Sequence, residues 1–175
     1  EAIINFQTMV TDLTGLSTAN GSMLDESTSA VEAMLLARRS SKVDSNVFVV
    51  DTDTLAQTKS LIAGRVAAVG IEVVELDLAS GAELPDAFGV LIQYPGASGR
   101  IWDPSKVIEK AKAAGAITIV AADLLALTLV TSPAELGADV AVGSSQRFGV
   151  PMGFGGPHAG YLAVRAGLER SMPGR

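Results

Sequence analysis

The sequence predicts an α/β fold in which a mainly parallel β-sheet is flanked by helices. Short apolar runs rich in β-branched residues alternate with segments whose apolar residues recur at helical spacing. This alternation is typical of β-α-β units, which place parallel strands in one sheet and helices on its faces. Hydrophobic residues make up 48% of the 175 residues, enough for a sizeable core, and no repeat or linker divides the chain. We therefore expect a single α/β domain over residues 1–175.

Two helices are expected before the first strand. The first runs over residues 3–13, where apolar side chains recur at helical spacing, and Gly15 is its expected end. A turn-rich link at 17–22 leads to the second helix. Either Asp25 or Ser27 can cap that helix, because both side chains accept hydrogen bonds from free backbone N–H groups.

The remaining elements alternate between strands and helices up to the end of the chain. Strands are predicted at 46–50, 71–76, 88–95, 116–123, 138–145 and 160–164. Helices are predicted through 55–66 with an end at Gly70, over 106–114 with an end at Gly115, and in helical material at 131–137. The uninterrupted apolar character of runs such as NVFVV indicates strands that are buried on both faces.

The composition excludes several classes of function. The formal net charge is −6, from 13 Lys and Arg against 19 Asp and Glu, whereas a protein that binds nucleic acid or an anionic membrane needs a basic face. The lack of cysteine excludes disulfides, thiolate metal sites and cysteine nucleophiles, and a single histidine excludes a histidine pair for a metal ion. No apolar run reaches the roughly 18 residues that a membrane span requires. We therefore expect no metal, no nucleic acid and no membrane partner.

Both ends of the sequence indicate a piece of a longer protein. EAIINFQTMVTDL, from residue 1, has the pattern of a helix already under way, and SMPGR, at 171–175, has no recognisable closing element. We therefore expect an excised fragment, and the lack of a targeting segment then carries no information about the compartment.

Polar residues follow four of the predicted strands at the point where each strand ends. They are DTDT at 51–54, PGASGR at 95–100, Asp123, and SSQR at 144–147. Ligands of open α/β sheets bind at the carboxyl ends of the strands, so these residues mark a candidate site. The loops of any α/β domain collect at this edge, and the clustering therefore locates a site without identifying its ligand.

The segment ANGSMLDEST at 19–28 allows two interpretations. Backbone N–H groups at a helix start, freed by Gly21 and aided by Ser22, suit an anion such as phosphate. Asp25 and Glu26 would oppose a phosphate, whereas as capping residues they stabilise the helix. Neither GxGxxG after a strand nor GxxxxGK followed by Ser or Thr occurs, so the sequence has no fingerprint for a dinucleotide or a nucleoside triphosphate.

Two single residues also allow alternatives. Asp123, at the end of a predicted strand, can hold a cationic ring nitrogen such as the pyridinium of pyridoxal phosphate (PLP), or it can cap the segment that follows. His158, the one histidine of the chain, is either a hydrogen-bonded loop residue or a general base.

Three long segments together carry a family resemblance. INFQTMVTDLTGL, ANGSMLDESTSAVEAM and GSSQRFGVPMGFGGPHAGYLAVR closely resemble the glycine decarboxylase P-protein family of the glycine cleavage system. The resemblance covers essentially the whole chain and matches the large domain of the family's amino-terminal half, a degenerate paralogue of the carboxy-terminal half. It implies the aspartate-aminotransferase-like fold, fold type I of the PLP-dependent enzymes, which agrees with the α/β prediction.

The resemblance also places an amide where the family has an amine. In the family's carboxy-terminal half the matching segment reads His-Lys-Thr-Phe, and its lysine forms the Schiff base with PLP. The residues aligned with it here are Ser145, Gln146, Arg147 and Phe148, so Gln146 takes the lysine's place. A carboxamide nitrogen is delocalised into its carbonyl and is not a nucleophile. We therefore expect no catalytic residue and no covalently bound PLP in this chain.

For the complete protein, the resemblance implies PLP-dependent decarboxylation of glycine and transfer of the aminomethyl group to the lipoyl arm of H-protein. The partners it implies are glycine, H-protein and the carboxy-terminal half or sister subunit of P-protein, in a dimeric assembly. That other half would hold PLP. The compartment would be the cytoplasm in a bacterium or the mitochondrial matrix in a eukaryote. The alternative function is a non-catalytic binding or regulatory α/β domain.

The resemblance leaves a set of degenerate or interface-supporting candidates for the cofactor site. They are Asn20, Gly21, Ser22, Asp123, Gly155, Gly156 and His158. Asp123 matches the region of the family's pyridine-binding aspartate, although its spacing to Gln146 is shorter than in the active half. Glycines at 153, 155 and 156 permit close backbone approach, so the loop either shapes the interface with the other half or only connects two strands.

Overall fold

The computed structural model describes residues 1–173; Gly174 and Arg175, the end of SMPGR, lie outside the described residues. The helices are α1 (Ala2–Thr14), α2 (Glu26–Ser40), α3 (Ala56–Val69) and α4 (Ser105–Ala113). The strands are β1 (Thr18–Ala19), β2 (Val47–Asp51), β3 (Glu72–Leu76), β4 (Gly89–Tyr94), β5 (Ile117–Ala122), β6 (Val140–Ser144) and β7 (Gly160–Val164). Short 3-10 turns in the loops include Ala126–Thr128 and Gln146–Phe148.

Within the described residues the strands form one seven-stranded sheet in the order β1-β7-β6-β5-β4-β2-β3. Strands β2 to β6 pair in parallel, whereas β7 runs antiparallel to both β6 and β1. The predicted fold class, a mainly parallel sheet flanked by helices, is confirmed. The chain passes from β2 outward to β3 and returns to β4 on the other side of β2, so the strand order reverses there. The parallel strands end together at one edge, the carboxyl edge, where ligands of such sheets bind.

The core consists of two apolar layers, one on each face of the sheet. Successive residues of β5 show the division: Ile119 belongs to the layer with α2, whereas Val120 belongs to the layer with α1 and α4. In the α2 layer Phe48 stacks on Phe88, with ring centroids 5.5 Å apart. Burial of one such side chain contributes about 1.5–3 kcal/mol. Strands β4 and β5 are buried along their whole length, so the carboxyl edge begins directly at the end of the core.

A buried carboxylate fixes the opposite, amino-terminal edge of the parallel strands. Asp139 is 1% exposed and accepts hydrogen bonds at 2.9 Å from both the backbone N–H and the hydroxyl of Thr118. Its other oxygen lies 2.6 Å from Arg165 Nε and 3.4 Å from Lys112 Nζ. Burial of a charge is tolerated when the charge is paired in this way. The network joins α4, β5, β6 and the end of β7.

Two local predictions differ from the structure. The link at 17–22 includes the two-residue strand β1, which forms because Thr18 pairs with Val164 near the other end of the chain. The segment 131–137 forms consecutive turns, not the predicted helical material. Pro133 and Gly137 leave too few residues between them for helical hydrogen bonding to repeat.

The pairing of β6 with its neighbours leaves no room for a side chain at Gly143. A Cβ atom at this position would lie 2.3 Å from the carbonyl oxygen of Ala122 and 2.6 Å from Cε1 of Tyr161. The Tyr161 hydroxyl is fixed against the same carbonyl, to which it donates a hydrogen bond at 2.7 Å. Since a backbone oxygen inside a sheet cannot move aside, this position requires glycine.

We expect Gly143→Ala to destabilise the chain by about 3 kcal/mol, because the added methyl group overlaps a backbone oxygen. Gly64→Ala is the matched control, since Gly64 is exposed in α3 and an added Cβ meets no atom within 4 Å. Alanine at that position should stabilise the chain by roughly 0.5–1 kcal/mol through its better helix propensity. Urea unfolding measures both changes, and an unchanged midpoint for Gly143→Ala would contradict the close packing.

Candidate functional site

The polar segments at the carboxyl edge form two pairs of contacting loops. The loop after β2 contacts the loop after β4: the Asp53 carbonyl accepts from Ala97 N at 2.7 Å, and its carboxylate accepts from the Ser98 N–H and hydroxyl at 2.9 and 2.7 Å. The loops after β5 and β6 meet through Asp123 and Arg147. The second pair therefore contains the residues that the sequence connects with a cofactor.

Asp123 has partners for both of its carboxylate oxygens. Oδ1 accepts hydrogen bonds from the backbone N–H groups of Leu125 at 3.0 Å and Ala126 at 3.3 Å, which is a capping arrangement. Oδ2 forms an ion pair with the guanidinium of Arg147, the residue next to Gln146. The side chain of Asp123 is 21% exposed and that of Arg147 is 66% exposed, so the pair lies at the rim of the sheet. Sequence reasoning found Asp123 but missed this contact, which exists because β5 and β6 are neighbours.

A second carboxylate, Glu26, lies at the start of α2 and is hydrogen-bonded to the sheet. Its Oε1 accepts from Gln93 Nε2 at 3.0 Å, and the same amide group donates to the carbonyl of Ala121 at 3.1 Å. Gln93 is 4% exposed, and its Oε1 has no hydrogen-bond partner within residues 1–173. Gln93 interrupts an otherwise apolar strand, and this interruption is the sequence feature that could have indicated a buried polar contact.

Electrostatic interactions connect Glu26, Asp123 and Tyr161. Burial raises the pKa of the Glu26 carboxyl above its ordinary value; the hydrogen bond from Gln93 lowers it, and the negative charges of Asp123 and Asp25 raise it further. Burial also raises the pKa of the Tyr161 hydroxyl well above its ordinary value, with additional contributions from the charges of Glu26 and Asp123. This part of the carboxyl edge therefore disfavours additional negative charge.

Of the two predicted capping residues, Asp25 and Ser27, it is Asp25 that caps α2. Its Oδ1 accepts a hydrogen bond from the Thr28 N–H at 2.7 Å, and its backbone is extended. Glu26 occupies the first turn of the same helix. The start of α2 therefore carries two carboxylates, which interact favourably with the helix dipole and occupy the region that the anion hypothesis assigns to a phosphate.

The predicted candidates Asn20, Gly21 and Ser22 lie between β1 and α2. Asn20 binds the sheet: its Oδ1 accepts from Leu162 N at 3.2 Å, and its Nδ2 donates to the Ser22 carbonyl at 3.4 Å. Gly21 packs near a side chain of α1, and Ser22 is exposed. None of these contacts brings the three residues to Asp123.

The loop after β6 begins with Gln146. This residue starts a 3-10 turn, with its N–H donating to Ser144 Oγ at 3.1 Å and its carbonyl accepting from Gly149 N at 3.2 Å. Further along, Gly155 and Gly156 have φ angles of 85° and 75°, in the left-handed region that favours glycine. A Cβ atom at either position would meet no atom of this chain within 4 Å, so packing within the chain does not explain these two glycines.

The side chains of this loop point away from the sheet. Met152 and Phe154 are almost fully exposed, and Phe148 is half exposed. His158 Nδ1 lies 2.6 Å from the carbonyl oxygen of Gly156, which is a hydrogen bond within the loop. The loop therefore presents apolar side chains to the surroundings of this chain.

An apolar groove of about 730 Å³ lies between this loop and α1. Its lining includes Phe6, Met9, Leu13, Leu124, Phe148 and Pro151. Further apolar residues of α1, Ile3 and Ile4, are also exposed. Exposed apolar patches of this kind are typical of surfaces that bind another protein, a membrane or a ligand.

Two other kinds of site are missing from residues 1–173. No group of three or more His, Asp or Glu side chains there is arranged to hold a metal ion. None of the helices in that range combines the length and the apolar character that a bilayer crossing requires.

The sequence matches the family described as glycine cleavage system P-protein over residues 1–175. Over its whole length it is 55% identical to glycine dehydrogenase (decarboxylating) of Rhodopseudomonas palustris, and it covers 18% of that protein. The structure is similar to the crystal structure of glycine decarboxylase (P-protein) of the glycine cleavage system in inhibitor-bound form, with a TM-score of 0.90 and 36% identity. That match covers 99% of this chain and 40% of the solved chain. The chain thus spans a minor part of both relatives.

A more distant likeness is to cystathione gamma lyase (CalE6) from Micromonospora echinospora. Its TM-score is 0.74 at 21% identity, and the match covers 97% of this chain and 44% of the other. At this identity the likeness shows the fold alone. Together with the P-protein structure, it identifies the sheet as that of the fold type I PLP-dependent enzymes, as the sequence resemblance implied.

The carboxyl of Glu26 allows a test of the electrostatics at this edge. Since the folded state raises its pKa, the folded chain holds this proton more tightly than the unfolded chain. The resulting stabilisation is complete below the ordinary pKa of 4.5 and is lost as the pH rises through the folded value. Glu26→Gln keeps an acceptor for Gln93 and carries no charge, so the variant should gain stability relative to the unsubstituted chain between pH 4.5 and neutral pH.

Urea unfolding at several pH values measures this difference. Glu32→Gln is the control, because it removes a negative charge from the same helix without changing the contact with Gln93. This control reports how the loss of a negative charge from α2 changes stability when the contact between Glu26 and Gln93 is kept. If the stability of both variants depends on pH in the same way, burial of Glu26 is not the cause of the pH dependence.

Proposed function

The chain belongs to the glycine cleavage system P-protein family, and we propose that it supports the reaction of the complete protein without holding the coenzyme covalently. The complete protein decarboxylates glycine and passes the aminomethyl group to the lipoyl arm of H-protein. The names of the two P-protein relatives, glycine dehydrogenase (decarboxylating) and glycine decarboxylase, support this activity. When bound, PLP supplies the electron sink for the loss of CO₂. Glycine, H-protein and the carboxy-terminal half are the partners of this chain.

The observation that carries the proposal is the amide at position 146. Gln146 begins the loop after β6, at the position where the family resemblance places the lysine of the carboxy-terminal half. Attack on the aldehyde of PLP requires an amine with a free electron pair. The amide nitrogen of glutamine shares its electron pair with the carbonyl group. Gln146 therefore cannot attach the coenzyme.

The lysines of the described residues offer no replacement. They lie in helices or loops, at Lys42, Lys59, Lys106, Lys110 and Lys112. Lys59 reaches the carboxyl edge, since its Nζ donates to the Thr52 carbonyl at 3.1 Å, but it is paired with Glu75 of β3, also at 3.1 Å. Strands β2 and β4 separate this pair from Asp123.

The other groups at the carboxyl edge do not fit the coenzyme either. A pyridinium binds best to a carboxylate whose charge is not already paired, whereas Asp123 accepts backbone N–H groups at Oδ1 and is paired with Arg147 at Oδ2. A phosphate needs a positive surface or free N–H groups, whereas α2 begins with Asp25 and Glu26. We therefore assign the coenzyme to the carboxy-terminal half.

The loop at 149–159 and the groove beside α1 form the surface that this half offers to the carboxy-terminal half. Met152 and Phe154 supply exposed apolar contacts, and the groove supplies a concave apolar surface next to them. The Gly156 N–H donates to the Gly153 carbonyl at 2.9 Å, which leaves the Gly155 N–H to face a phosphate or a carboxylate held by the other half. The loop thereby supports the active site of its partner.

Gly155→Val in the complete protein tests this supporting role. Valine adopts a φ of 85° only with strain, while an added Cβ meets no atom of this chain within 4 Å. The variant should therefore fold with a displaced loop. We expect glycine turnover and PLP affinity to fall roughly tenfold or more, because a displacement of about 1 Å can cost up to a hundredfold in rate.

Gly153→Ala is the control, since Gly153 has no positive φ and an added Cβ there also meets no atom within 4 Å. Its turnover and PLP affinity should stay close to those of the unsubstituted protein. Normal turnover and normal PLP affinity in a folded Gly155→Val protein would rule out the supporting role. The loop would then only connect two strands.

A further inference from the structure

We infer that Arg147 is the counter-ion of Asp123 and keeps this carboxylate from binding the coenzyme, so that an amine restored at position 146 is not sufficient for capture. The inference rests on the proposed function, in which this half does not hold PLP. The missing amine at Gln146 is one obstacle to the capture of PLP. The inference adds a second obstacle, which is the side chain of Arg147.

The two oxygens of Asp123 explain the barrier. A carboxylate that binds a pyridinium needs an accessible oxygen and a negative charge that is not already neutralised. Here the N–H groups of Leu125 and Ala126 bind Oδ1, and the guanidinium of Arg147 binds Oδ2. A guanidinium does not lose its proton in proteins, so the positive charge is permanent. An incoming cationic ring therefore competes with Arg147 for Oδ2 and meets a carboxylate whose charge is already paired.

The fold presents Arg147 to Asp123. Arg147 lies in the turn Gln146–Phe148, which follows Ser145. The N–H and the hydroxyl of Ser145 both donate to the carbonyl of Ala159, at 2.9 and 3.0 Å. The turn is therefore fixed between the end of β6 and the approach to β7. Position 146 lies on the same turn, next to the residue that already pairs with Asp123.

The exposure of the ion pair makes a clean test possible. Because the Arg147 side chain is 66% exposed, its truncation removes little buried surface, and solvent-exposed pairs contribute little to stability. The substitution Arg147→Ala should therefore leave the sheet intact while it frees one oxygen of Asp123. An effect on coenzyme capture then reports on the freed carboxylate of Asp123 and not on folding.

The experiment uses the complete P-protein that contains this chain, in three forms. They carry Gln146→Lys alone, Gln146→Lys with Arg147→Ala, and Gln146→Lys with Arg100→Ala. Arg100 is the matched control, since it is an exposed arginine at the same edge of the sheet, and its partner Asp77 lies 4.0 Å away. Each protein is incubated with PLP, reduced with borohydride and digested. Mass spectrometry of the peptide with position 146 measures the label separately from coenzyme bound elsewhere.

The labelling chemistry requires only PLP and borohydride. The introduced amine adds to the aldehyde of PLP, and one water molecule leaves as the carbon–nitrogen double bond forms. Borohydride then delivers a hydride to the carbon, and solvent delivers a proton to the nitrogen. The pyridoxyl group is thereby fixed at the residue that held it.

We expect about tenfold or more label at position 146 when Arg147→Ala accompanies Gln146→Lys than with Gln146→Lys alone or with Arg100→Ala, because the vacated carboxylate gains a charge-assisted hydrogen bond. Equal labelling of the three proteins, whether high or undetectable, would overturn the inference. If circular dichroism shows that the Arg147→Ala protein is unfolded, Arg147→Met, which keeps the apolar stem, replaces it. If Gly155→Val changes neither glycine turnover nor PLP affinity, the proposed supporting role of the loop is wrong, but the labelling result at position 146 is unaffected. The failure of the proposed function and the failure of this inference are therefore distinguishable.

Discussion

The carboxylate of Asp123 joins the two loops on which the interpretation of this chain depends. It stands at the end of β5, where one oxygen caps the following turn and the other binds the arginine at the base of the glycine-rich loop. Because β5 and β6 are neighbours in the sheet, a single side chain ties the loop after one strand to the loop after the next. The hydrogen bonds of Ser145 to Ala159 hold the base of the loop, while Met152 and Phe154 near its tip are exposed.

The scaffold of this chain and the chemistry of its family are separable. The sheet superimposes on that of the solved glycine decarboxylase with a TM-score of 0.90, so the strands and the carboxyl edge are those of a fold type I enzyme. A fold fixes where a site can form, but the side chains decide what the site does. With an amide at position 146 and a paired carboxylate at position 123, the same edge is suited to holding loops in place. We interpret the chain as a half that retains the architecture and serves its partner.

The sequence predicts those features of the structure that local chemistry decides. Continuous apolar runs indicate buried strands. Asp25 caps α2 through a hydrogen bond with a residue only three positions away in the sequence. Strand β1 was missed because two residues carry no periodicity and their pairing with β7 is a long-range event. The contact between Glu26 and Gln93 was missed for the same reason, since 67 residues separate the two side chains and the sheet alone brings them together. Family resemblance identified position 146, which periodicity and composition do not distinguish.

The most direct test of this account is an experimental structure of the complete protein with PLP bound. The account predicts coenzyme density in the carboxy-terminal half, with Arg147 still paired to Asp123 and with the loop at 149–159 covered by that half. Coenzyme density against Asp123, with Arg147 displaced and Gln146 beside the aldehyde carbon, would contradict it.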